Sequence, residues 1–336
     1  MSMDTSQPGR HMAAEIEEAA GVFARSAALD LSAPVAALGL AGARAFYTVA
    51  RGSSDAAANI LSYEFMRELG VPVTSLPPSV FSVGAGVAME GTAGLVISQS
   101  GASEDLIRAA QGMRDRGATV TAITNVAGSG VEGAAQITVP INAGPEQAVP
   151  ATKTVIGSVG AGLALLSALS PAYASRLGGS VSGFVGVGGL PDVDHDRLRA
   201  ALLRARHVYV VGRDTGFGAA QELALKIKET CAIHAEAYSA SEVLHGPLQL
   251  ATNPLTVLVL DTGAPGTAES IDNAVARFRA TGSDVHRIAP TVAGLTPAAA
   301  AAAILRHIYP VILDTALALG HDPDAPVTLS KVTVTR

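Results

Sequence analysis

Apolar runs and amphipathic stretches alternate along this chain, and the alternation occurs twice. Glu15 to Leu29 carries apolar residues at helical spacing, with acidic residues early and Arg25 late, and predicts a first helix. Ala45 to Ala50 predicts a strand, followed by Arg51-Gly52-Ser53-Ser54 and a helix through Arg67. Leu95-Val96-Ile97 predicts the next strand, then a serine-rich turn, a helix from Glu104 to Arg116 and a strand from Thr119 to Thr124. The second half repeats this order. His207 to Val211 leads through Gly212-Arg213-Asp214-Thr215-Gly216 into a helix through Lys228. Thr256 to Leu260 leads through Asp261-Thr262-Gly263 into a helix near Glu269 to Ala280, then a strand from Asp284 to Ile288. Each half closes on a long alanine-rich helix, 151–169 and 297–319. Strand–helix alternation of this kind gives parallel sheets covered by helices on both faces. The expected architecture is α/β, with two tandem doubly wound parallel-sheet lobes. Residues 1–30 form an N-terminal segment and helix, 31–175 lobe 1, and 176–194 a linker in a Gly-, Ser- and Pro-bearing stretch. Residues 195–336 form lobe 2 and a tail carrying Lys331.

Composition agrees with two packed domains. The chain has 336 residues, 49% hydrophobic and 15% charged, which leaves little room for disorder away from the ends. A net charge of −6 with no basic block argues against a nucleic-acid surface. The longest apolar run, Val155 to Leu169, contains Gly and Ser and is short for a membrane span; it suits a buried helix. A single cysteine, Cys231, allows no internal disulfide and fits a reducing compartment. Residues 1–13 hold Asp4, Pro8 and Arg10 and no apolar core of a signal peptide, so the expected location is cytoplasmic, with no membrane partner.

The turn Ser98-Gln99-Ser100-Gly101-Ala102-Ser103 lies between a predicted strand and a helix start. That arrangement makes an anion seat, because a helix N-terminus leaves N–H groups unpaired and carries about half a positive charge. No Walker lysine follows, so the expected ligand is a phosphate monoester rather than a nucleoside triphosphate. An ordinary capped turn is the alternative, although Gln99 and the extra serines exceed what capping needs. The matching turn of the second half holds Asp261, whose carboxylate would repel phosphate.

Only four lysines stand among 23 basic residues: Lys153, Lys226, Lys228 and Lys331. Arginine does not give up its proton, whereas lysine can act as a neutral amine. Lys331 is therefore either a solvated tail lysine or a nucleophile. Glu222, Lys226 and Glu229 share one helix face, either as surface ion pairs or as a carboxylate held by an ammonium and aimed into a cleft. Between His234 and Pro247 fall two His, two Glu and a Tyr, ending in His245-Gly246-Pro247. A histidine at such a break, beside carboxylates, is a candidate for proton transfer. The His234 and Glu236 spacing is not a zinc pattern. The Gly183–Gly189 run lacks strand-to-helix context. Asp192 to Asp196 fails as a calcium loop, because Arg197 and Leu203 occupy its glycine and glutamate positions. No metal or cofactor is expected.

Together these segments resemble the sugar isomerase (SIS) family, of flavodoxin-like lobes, and in particular the isomerase half of glucosamine-6-phosphate synthase and the stand-alone type II glucosamine-6-phosphate deaminases. The likeness rests on Ser98-Gln99-Ser100-Gly101, Ala151-Thr152-Lys153, Leu225-Lys226-Ile227-Lys228-Glu229, His234-Ala235-Glu236-Ala237, His245-Gly246-Pro247 and Leu329-Ser330-Lys331. It implies that Ser98, Gln99, Ser100 and Ser103 hold a sugar phosphate, and that Gly52, Ser53, Ser54, Val149, Ala151 and Ser330 line the sugar. Glu229 would move the proton between C1 and C2, and Lys331 would reach the carbonyl. His245 would assist ring opening from the neighbouring subunit of a homodimer. Leu244 and Ala151 depart from a lysine and a serine of the synthases, which leaves the choice of sugar open. With no amidotransferase lobe before Glu15, the implied reaction is deamination of glucosamine 6-phosphate to fructose 6-phosphate and ammonia. Isomerisation or deglycation of another amino- or fructosamine phosphate, synthesis with ammonia from elsewhere, and a non-catalytic sensor are the alternatives.

Overall fold

The computed structural model describes residues 7–186, 194–290, 292 and 294–331. Lobe 1 runs α1 (Arg10–Ala27), a short α2 (Ser32–Ala37), β1 (Phe46–Val49), α3 (Gly52–Leu69), β2 (Val73–Ser75), a single turn α4 (Ser79–Ser82) and β3 (Ala93–Ser98). It continues through α5 (Glu104–Asp115), β4 (Thr119–Thr124), α6 (Gly130–Ala134), β5 (Ile137–Pro140) and α7 (Lys153–Leu169). After α8 (Pro171–Gly186), lobe 2 runs α9 (His195–Arg204), β6 (His207–Gly212), α10 (Thr215–Cys231), β7 (His234–Ser239), β8 (Thr256–Leu260), α11 (Ala268–Ala280), β9 (Asp284–Ile288) and α12 (Pro297–Ala318).

Both sheets are parallel, in the orders β2-β1-β3-β4-β5 and β7-β6-β8-β9. Each reverses direction beside its first strand, so the first crevice opens between the ends of β1 and β3. Register places Val49 opposite Val96, which brings the two following turns side by side. Strand β3 is buried at all six positions, as a central parallel strand must be. Leu95 and Ile97 face the main core, and Val96 faces a second cluster on the other side of the sheet.

The main core is shared by the lobes. Helix α10 lies directly on α3 at Gly218, where a Cβ would come within 2.6 Å of the Ile60 nitrogen. That close approach carries the lower half of α10 to the mouth of the lobe 1 crevice. Helix α12 is long and apolar enough to cross a membrane by length and composition. It packs against α10 and α7, with 72% of its apolar window buried, as a core helix.

Part of the expected linker is helical. Tyr173, Leu177, Ser180 and Phe184 recur at helical spacing and are buried, so Pro171–Gly186 folds as α8. Phe184 stacks on Phe23 of α1 with centroids 4.0 Å apart, and the Tyr173 hydroxyl donates to Glu64 at 3.1 Å. The small Gly and Ser residues between them suggest a loop, but the apolar stripe decides the structure. Residues 187–193, which include the last three positions of the Gly183–Gly189 run together with Asp192 and Val193, lie outside the described residues.

Candidate active site

Three helix N-termini converge on one cavity of about 380 Å³, within the usual range for small-molecule sites. The first is that of α5. Ser98, at the end of β3, accepts a hydrogen bond from the Gly101 nitrogen at 3.1 Å, and Ser100 accepts one from the Ala102 nitrogen at 3.3 Å. Gly101 has φ +60°, and a Cβ there would collide with Ser129, so the turn requires glycine. Ser103 is the N-cap residue but makes no side-chain cap bond. Two hydroxyls thus shape the turn, while that of Ser103 is not used as a cap. The second N-terminus, of α3, presents Gly52, Ser53 and Ser54; Gly52 has φ +52°. The third, of α7, brings Val149 and Ala151 to the wall.

The opposite wall comes from lobe 2 and the tail. Glu229, in the last turn of α10, lines the cavity with a side chain 24% exposed. Lys226 is fully buried and bridges it to Glu222, binding Glu229 directly and standing 3.7 Å from Glu222. Glu222 also accepts from the Tyr309 hydroxyl at 3.1 Å. Burial raises its carboxyl pKa to about 7; Lys226 opposes that shift and Glu229 adds to it. Burial works against the Lys226 ammonium, but its two carboxylates outweigh the cost and raise its pKa. The set is therefore not the surface ion pairing that the helix pattern alone permits.

The tail crosses from lobe 2 to lobe 1. Asp324 caps α1, accepting from the His11 and Met12 nitrogens at 2.9 and 2.8 Å, and its carbonyl accepts from the Val149 nitrogen at 2.9 Å. Leu329, Ser330 and Lys331 then close the cavity. Lys331 donates to the Ala148 carbonyl at 2.5 Å and to Glu146 at 3.2 Å. Glu146 is buried and caps α7 through the Thr152 and Thr154 nitrogens at 3.0 and 3.1 Å. Beneath it Glu15 accepts from the Gln147 nitrogen. Its carboxyl is pushed up to about 7, chiefly by burial; the Gln147 bond and Lys331 oppose the rise and Glu146 adds to it.

Ser98, Gln99, Ser100, Ser103, Gly52, Ser53, Ser54, Val149, Ala151, Ser330, Glu229 and Lys331 thus line one cavity. His245 does not line it; the residue is exposed at the end of the 3₁₀ turn Glu242–His245. Sequence reasoning missed Arg51, which lines the cavity, and Glu146 and Glu15, which support the tail. Only the Glu146–Thr152 spacing before a helix start signals any of these, as an acidic cap. Among the described residues no group of three or more His, Cys, Asp or Glu is arranged to hold a metal ion.

Two parallel-sheet lobes meeting at one hydroxyl-rich, helix-ended cavity, with a carboxylate and an amine on its far wall, define a two-lobed α/β protein with a small-molecule-sized site. The chain belongs to the SIS domain family, whose model matches residues 39–168 and 201–311. It is 33% identical over 327 residues to the glutamine–fructose-6-phosphate aminotransferase (isomerizing) of Aeropyrum pernix, covering 87% of this chain and 51% of that protein. The chain thus spans about half the length of the curated relatives it matches. A crystal structure from Silicibacter pomeroyi, described as a candidate phosphosugar isomerase, superposes with TM-score 0.83 at 31% identity, covering 94% of this chain and 99% of that one. Glucosamine-6-phosphate deaminase of Thermotoga maritima shares the fold, with TM-score 0.73 at 20% identity, covering 97% and 100%.

Proposed function

We propose that this chain is a phosphosugar aldose–ketose isomerase whose reaction is deamination: glucosamine 6-phosphate plus water gives fructose 6-phosphate and ammonia. The observation that carries the reading is the meeting of the Ser98–Ser103 turn, Glu229 and Lys331 in one cavity, drawn from lobe 1, lobe 2 and the tail. The phosphate sits at the serine-rich turn and supplies remote binding energy that orients the open-chain sugar. Glu229 takes the proton from C2 and returns it to C1, and water then releases ammonia from the resulting C2 imine. Lys331 polarises or captures the carbonyl. Cys231 is buried in α10, and burial raises its thiol to about 11, so it takes no part in the chemistry of this cavity. A coupled assay for fructose 6-phosphate and ammonia tests the reading. Stoichiometric release of both supports it, and no turnover on any aminosugar phosphate ends it. Run in reverse with fructose 6-phosphate, the same assay separates free ammonia from glutamine as nitrogen source.

The exposed His245 supports a second element of the reading, a homodimer in which this imidazole enters the partner's cavity and assists ring opening. His245→Asn and Glu229→Gln, each strongly impaired alone on the ring-closed sugar, are expected to give turnover well above the sum of the two when mixed and allowed to exchange subunits. Failure to complement, with subunit exchange demonstrated, removes His245 from the partner's site. The protein is proposed to act in the cytoplasm, without nucleic-acid or membrane partners.

A further inference from the structure

The anion seat at α5 contains an apparent contradiction. Its first turn carries Glu104 and Asp105, and Asp105 is only 2% exposed. A buried carboxylate beside a phosphate seat opposes the ligand, since like charges in a poorly solvated site repel strongly. Arg51 stands across from it, at the N-cap of α3 on the other side of the sheet's switch point. Its Nε lies 3.0 Å and its Nη2 2.7 Å from the same Asp105 oxygen. Both of those donors are on one edge of the planar guanidinium, so the Nη1 edge is left for another acceptor. Arg51 remains about half exposed, and the space it is exposed to includes the cavity that Ser98, Ser100 and Ser103 line.

We propose that Arg51 is a phosphate-binding and specificity-determining residue, its guanidinium held in place by Asp105 so that the free edge completes the anion seat. The proposal rests on the reading of this cavity as a phosphosugar site and adds the one permanent cation that the serine-rich turn lacks. Neutral hydroxyls and helix ends favour an anion, but they supply no full charge against a phosphate dianion. Asp105 is then an orienting group: it fixes the plane of Arg51 and is itself neutralised. A lysine at position 51 would not substitute, because a point ammonium cannot bridge Asp105 and a phosphate along two edges. The consequence is selectivity for phosphorylated over unphosphorylated sugars, and for dianions over neutral ligands of the same shape.

Two probes test this: inorganic phosphate and fructose 6-phosphate, each titrated calorimetrically against the full chain and its variants, with fructose as the neutral comparison. Arg51→Gln is expected to weaken both phosphate ligands by about tenfold to a hundredfold, the usual loss for a charge-assisted contact. Because Arg51→Gln removes the Arg51 ion pair of Asp105, the double variant Arg51→Gln/Asp105→Asn is measured as well; it replaces the ion pair by neutral groups. In that double variant, binding that stays at least about tenfold weak supports direct contact, whereas full recovery means that Arg51 serves only to neutralise Asp105 and overturns the proposal. Equal affinity in wild type and Arg51→Gln overturns it too. If the wild type binds neither phosphate probe, the phosphosugar reading itself fails, and the proposal with it. Circular dichroism and thermal unfolding confirm that each variant is folded.

Discussion

Replacement of Glu229 by Gln is expected to lower turnover by about 10²–10⁴-fold while KM changes by less than about threefold, because the lost group acts on the proton and not on the phosphate. Gln keeps the size of the side chain and can still accept from Lys226, so the wall of the cavity is preserved. The diagnostic readout is exchange of the C2 hydrogen with deuterated water, followed by NMR on a bound ketose or aldose phosphate. Exchange at the wild-type rate in this variant would remove Glu229 from the role of base. Glu222 is 0% exposed but bonds Ser53 of the cavity wall, so Glu222→Gln is the comparison variant: it should keep C2 exchange that Glu229→Gln loses.

Lys226→Met is expected to have the largest effect on stability. It leaves the carboxylates of Glu222 and Glu229 beside a buried apolar side chain, and uncompensated charge of this kind costs about 3–5 kcal/mol. The loss depends on pH in a determined direction. With Lys226 present, the Glu222 carboxyl already holds its proton to about pH 7, against a reference value of 4.5. The native state therefore binds this proton where the unfolded chain has released it, and stability falls as pH rises from 4.5 through 7. Without the ammonium this carboxyl titrates higher still, so the variant should be hurt more at pH 8 than at pH 5. Urea unfolding at the two pH values measures the difference, and adding Glu222→Gln should recover much of the loss at pH 8. Equal destabilisation at both pH values would contradict this account of the triad. Glu15, also held up at about 7, contributes a slope of the same sign, which the comparison of wild type with variant cancels.

The sequence revealed more of the fold than of the charge arrangement. The central strands Thr119–Thr124 and Thr256–Leu260 form as the pattern predicts, because nearly every position in them is buried, and the edge strand Asp284–Ile288 forms where the repeated strand–helix–strand order puts it. Strands β2, β5 and β7 were not, because they are short or lie at sheet edges, where half the positions face solvent and the apolar signal fades. Helix α8 was concealed by its glycines and serines. Within the site, the serine-rich turn could be read from local spacing, whereas the helix pattern left Glu229 open between a surface ion pair and a cleft carboxylate and only the resemblance singled it out. The tail could not be placed without the resemblance, since nothing near Lys331 in sequence indicates that it docks on Glu146. Arg51 and Asp105 were missed for the same reason. Their pairing depends on the alignment of β1 with β3, a contact between distant parts of the chain that periodicity does not encode.

The most direct measurement is a crystal structure of the Glu229→Gln variant soaked briefly with glucosamine 6-phosphate, where chemistry is slowed. The account predicts an open-chain sugar with its phosphoryl oxygens within hydrogen-bond reach of the Ser98–Ser103 turn, its C1–C2 bond against residue 229, and Lys331 turned from Glu146 toward the carbonyl end. A sugar bound in the reverse sense, or anywhere outside this cavity, would contradict it.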